Sequence, residues 1–190
     1  RKGSSQELLQ RAEALALVYS FNVSRTERGD ELSALGAIAG LSRQTLHSGQ
    51  AEMLRRQLAQ QRGNWRAVLP HALANRLAKR ALQNIPPDDI NAELFKQENL
   101  RLLQSCAHRL GYLHDFAPAR ELALSWIQQG APLGNIATCS DQHLAVLSHI
   151  APVFPDVILR AIEEAAVDSA FASRKNHNFS RFVRLLCHLA

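Results

Sequence analysis

The chain has 190 residues, 46% of them hydrophobic and 21% charged, and carries a net charge of +5. That balance excludes a disordered polar tail and fits one large or two small folded domains. Three scattered cysteines, Cys106, Cys139 and Cys187, exclude a disulfide framework and a paired-cysteine zinc module, and suit a reducing cytoplasm.

In chain order, apolar residues at helical spacing (Leu8, Leu9, Ala12, Leu15, Ala16, Tyr19) predict a first helix over 5–21. The polar stretch 22–29 reads as a loop. Asp30 is a natural cap for a helix carrying Leu32, Leu35, Ile38 and Ala39. Gly40 can close that helix in the left-handed conformation, Leu41 can pack inward, and Ser42 can cap the next helix. The third helix is expected over 43–57, with Leu46, Met53 and Leu54 inside. Two short extended runs, 58–61 and 65–69, flank Arg62-Gly63-Asn64 and read as a β-hairpin. Pro70 suits a first helical turn, and His71 to Leu82 continues with Leu73, Ala74, Leu77, Ala78 and Leu82 on one face. Pro86-Pro87 stops it.

These elements predict a mainly α protein: a winged helix-turn-helix domain over 1–85, with a small β-hairpin wing, then an all-helical, repeat-like domain over 86–190. Helices are expected over 89–110, 118–129, 141–150, 155–170 and 179–190, joined by short connections that favour antiparallel packing. Either a bundle or an α-solenoid-like array fits, and no fixed-period repeat decides between them. The chain lacks an initial Met and ends inside the apolar run 182–189, so it reads as a piece of a longer protein.

Charge divides along the same line. Residues 1–84 hold 13 Lys and Arg against 6 Asp and Glu, a net +7, whereas 85–190 net −2. A basic half suits a polyanion, either nucleic acid or the phosphates of a nucleotide. Arginines outnumber lysines 18 to 4, favouring planar two-point contacts. If the third helix enters a DNA groove, Arg43, Gln44 and His47 face bases or phosphates, with Arg55, Arg56, Arg62 and Arg66 available for the backbone. A winged helix also serves as a protein-docking module, and both readings stay open.

His71 is the other candidate. It heads a helix, where free N–H groups and the dipole attract anions. Metal ligation is not expected: Cys106 and His108, two apart on a helix, point apart, and so do the adjacent Cys187 and His188. The sequence has no phosphate-binding Gly-rich loop, no Gly-x-Ser-x-Gly and no His-Glu-x-x-His, so no enzyme is expected within the chain. No apolar run approaches the roughly 18–20 residues that span a bilayer, so no membrane partner is expected.

The stretch from Trp65 to Ala78, WRAVLPHALANRLA, resembles the end of the winged-helix domain of STAND-type signalling NTPases, the class that includes NACHT and NB-ARC proteins. The resemblance covers about residues 5–84. It implies that His71 stands where the family's histidine contacts the β-phosphate of bound ADP and helps hold the resting state. The family's Met-His-Asp triplet is here Pro70-His71-Ala72, so the histidine matches and its two neighbours differ. The resemblance further implies an NTPase core before Arg1, with ATP or ADP as its cofactor, helices that sense an unidentified ligand or protein, and, among bacterial members, a role in defence against phage. The alternative is a DNA-binding transcriptional regulator with a helical ligand-binding or dimerisation region. A purely structural scaffold segment is the third.

Overall fold

A computed structural model of the chain describes residues 2–26, 29–128 and 130–166. Among these residues the protein is mainly helical, with nine α-helices and one small three-stranded antiparallel sheet. The expected helix over 179–190 and the last residues of that over 155–170 lie outside the described residues.

Helix α1 (Lys2–Ala16) ends earlier than the apolar spacing predicts. Residues 17–20 turn the chain, and Phe21–Asn22 form strand β1. Helix α2 (Glu31–Ala39) starts at Asp30, whose side chain accepts from the Ser33 N–H. It ends at Gly40, where φ is 65°. There the Gly40 N–H reaches Ala37 O and the Leu41 N–H reaches Gly36 O at 2.8 Å, a paired closure that only a left-handed residue allows cheaply. Ser42 then caps α3 (Arg43–Arg55) by accepting from the Thr45 N–H. Strands β2 (Ala59–Arg62) and β3 (Trp65–Val68) form the expected hairpin around Gly63. Strand β1 pairs with the other edge of β3, Phe21 opposite Arg66, giving the order β1-β3-β2.

Helix α4 (His71–Asn84) follows the hairpin and stops before the double proline. The single helix expected over 89–110 is two: α5 (Pro87–Leu94) and α6 (Leu100–Gly111), separated by a short 3-10 turn. The buried Asn99 seals this break by donating from Nδ2 to Glu93 O at 2.8 Å. Helices α7 (Ala117–Ile127), α8 (Asp141–Ile150) and α9 (Pro155–Ala166) complete the described chain.

One apolar core runs through the molecule, from Leu15, Leu32, Leu35, Leu46 and Met53 to Leu103, Leu110, Trp126, Leu147 and Ile150. Asp30 illustrates how the N-terminal helices are pinned to each other. Besides capping α2, its carboxylate accepts from Arg25 Nε at 2.9 Å and Arg43 Nε at 2.7 Å. Burial opposes ionisation of Asp30, but the bonds from Ser33 and Arg43 outweigh it and hold its pKa below the ordinary value. A carboxyl depressed in the fold contributes stability above its unfolded pKa and loses it as pH falls through the folded value. Asp30→Ala is therefore expected to cost about 1–2 kcal/mol at neutral pH. The difference from wild type should shrink below about pH 4. Urea melts at the two pH values check both statements.

Candidate functional site

His71 is the first residue of α4 and is solvent-exposed. The residue before it, Pro70, offers no side-chain cap, and the first intrahelical bond runs from the Ala74 N–H to Pro70 O. The N–H groups of the first turn therefore lack side-chain partners and point outward with the positive end of the helix dipole.

Five rings gather beside this helix start, all within 15–26° of parallel. Tyr19, from the turn after α1, stacks on His71 at 5.5 Å between centroids and on His108 of α6 at 4.1 Å. His108 stacks in turn on His149 of α8 at 4.5 Å. Tyr112, half exposed, flanks the column, 5.4 Å from His108 and 6.3 Å from His71. The order His71, Tyr19, His108, His149 thus connects α4 to α8 ring by ring. Face-to-face rings do not aim their nitrogens at a common point. Among the described residues no group of His, Cys, Asp and Glu side chains gathers as a metal ion would need.

Beneath the rings lies Arg109, with no solvent exposure at all. Its Nε donates to Ala16 O at 3.1 Å, Nη2 to Val18 O at 3.4 Å and Nη1 to Asn75 Oδ1 at 2.7 Å. Its guanidinium also sits 5.6 Å from the Tyr19 ring centre. A cation is tolerated there because α1 ends with unpaired carbonyls and the negative end of its dipole. Burial lowers the pKa of His108, and the fields of His149, Arg109 and His71 push the same way. Burial also lowers that of His149. Neighbouring Cys106 is fully enclosed and its thiol is pushed up to about 12, so it is no nucleophile.

The basic candidates divide into two sets. Arg43 is engaged inward, donating to Asp30 and, from Nη2, to Val23 O at 2.8 Å. Arg66 is buried; it donates to Gly63 O at 2.7 Å, Trp65 O at 2.9 Å and Gln50 Oε1 at 3.3 Å, which pins the hairpin to α3. Gln44, His47, Arg55, Arg56 and Arg62 are exposed. Arg55 and Arg56 both pair with Glu52. Arg25, Ser42, Arg43, Gln44 and His47 line an open hollow of about 450 Å³ at the start of α3.

Sequence reasoning missed Tyr19, His108, Tyr112 and His149 as neighbours of His71. They come from three segments far apart in the chain, the turn after α1, the end of α6 and α8, and none carries a local motif. No family model matches the chain, and neither does any curated protein or solved structure.

Proposed function

We propose that this chain is a non-catalytic regulatory segment of a STAND-like signalling NTPase. In this reading α1–α4 and the hairpin are a winged helix that packs on an NTPase core preceding the chain, and α5 onward begins a helical array that receives a ligand or protein. His71 faces the phosphates of the ADP or ATP held by that core. The observation that carries the reading is the setting of His71: exposed, first in a 14-residue helix without a side-chain cap, directly behind the hairpin, its ring backed by Tyr19. Such a position offers a phosphate backbone N–H groups, a helix dipole and an imidazole together.

In the full-length protein, His71→Ala is expected to release ADP about tenfold faster or more, the equivalent of one charge-assisted hydrogen bond. Single-turnover release of a fluorescent ADP analogue measures this, and an unchanged rate removes the role given to His71. The chain alone is expected not to hydrolyse ATP. The DNA-binding alternative is less favoured, because Arg43 and Arg66 spend their donors on Asp30, Val23, Gln50 and the hairpin backbone. Tight, salt-dependent duplex binding that weakens in Gln44→Ala and His47→Ala would reverse that preference.

A further inference from the structure

We propose that His108 and His149 form a proton-operated contact between α6 and α8, and that the Tyr19 ring stacked on His108 carries its state to His71 at the head of α4. Nothing in this proposal requires a nucleotide at His71, so it stands or falls separately from the functional reading above.

Packing fixes the two imidazoles against each other. At Gly111, three residues after His108, a Cβ would lie 2.7 Å from the backbone oxygen of His149. Only glycine lets α8 come so close to α6, and this approach holds the His149 ring 4.5 Å above that of His108. The groups facing His108 come from every side. They are His149 from α8, His71 from α4, Tyr19 from the turn after α1, Arg109 from its own helix and Tyr112 just past the end of that helix. Each ionisable nitrogen among them is basic, and Arg109 is a permanent, fully buried cation.

When neutral, the two rings stack and exclude water. Each gains a proton from solvent as pH falls, and two like charges then share a half-buried site beside a third. Burial depresses both groups in the fold, and at His108 the fields of His149, Arg109 and His71 add to it. The contact is therefore fully stabilising above the ordinary histidine pKa of about 6.5 and weakens as pH falls below it. Loss of the α6–α8 stack leaves His108 free to withdraw from Tyr19, and Tyr19 is the ring that backs His71.

Two measurements on the 190-residue chain test this. The first is an NMR titration of its imidazole signals from about pH 8 to about pH 4.5. Two histidines are expected to titrate below the ordinary value, and His149→Phe should raise the midpoint of His108. The second is amide hydrogen exchange at residues 71–75 and 108–112, corrected for the intrinsic pH dependence of exchange. Acid is expected to speed exchange severalfold in the wild type but not in a His108→Phe, His149→Phe double variant, which keeps stacked rings without the charges. Midpoints at or above the ordinary value, or the same acid-induced opening in the double variant, would overturn the proposal. The wild-type titration decides even if the double variant fails to fold.

Discussion

Replacing Arg109 with methionine is expected to destabilise the protein by about 3–5 kcal/mol, although it removes a charge from an interior site. Three acceptors depend on that guanidinium: Ala16 O, Val18 O and Asn75 Oδ1. Methionine fills much of the volume but donates to none of them, and each buried acceptor left bare costs about 1–3 kcal/mol. Arg109→Lys keeps the charge but lacks the planar fork, so it should restore one contact and recover less than half of the loss. The drop in thermal midpoint for Arg109→Met should be about 10 °C in a chain of this size. A loss below about 1 kcal/mol would mean that the α1 carbonyls find other donors.

Trp126→Ala carries the second large effect, about 3–5 kcal/mol. This side chain on α7 is 1% exposed. Its indole N–H donates to Asn91 Oδ1 at 2.7 Å, and Phe95 meets it edge-on at 5.7 Å. Alanine there removes the ring, opens a cavity between α5 and α7 and strips Asn91 of its donor. Trp126→Phe separates the two contributions. It keeps most of the packing and loses the hydrogen bond, so about 1–2 kcal/mol is expected. Chemical denaturation of both variants checks this. Equal losses for the two would assign the whole effect to the hydrogen bond.

Local signals made part of this architecture legible. Asp30 and Ser42 cap the helices that the sequence assigns to them, Gly40 takes the left-handed turn, and residues 59–68 form the hairpin. Each depends on residues a few positions apart, where spacing and side-chain chemistry carry the information. What escaped the sequence depends on distant partners. Strand β1 is two residues long and exists because β3, more than forty positions later, offers an open edge. The helix break at 95–99 is hidden because Leu94, Leu102 and Cys106 keep a helical pattern across it, while Asn99 satisfies the backbone locally. Arg43 and Arg66 look like contacts for a polyanion until Asp30 and Gln50 are seen to hold them. The ring column was the least legible, since it joins residues 19, 71, 108 and 149 through tertiary packing alone.

The dependence of α1 on donors from α6 has a consequence for dissection of the molecule. Ser105 Oγ donates to Ser20 O, Arg101 pairs with Glu31, and Lys79 reaches Asp115, so the segments before and after the double proline are stitched at several points besides Arg109. A gene cut between Ile85 and Pro86 should therefore not yield a free-standing amino-terminal module. The excised piece would carry bare carbonyls and an uncovered apolar wall, whereas the intact chain should melt in a single cooperative step.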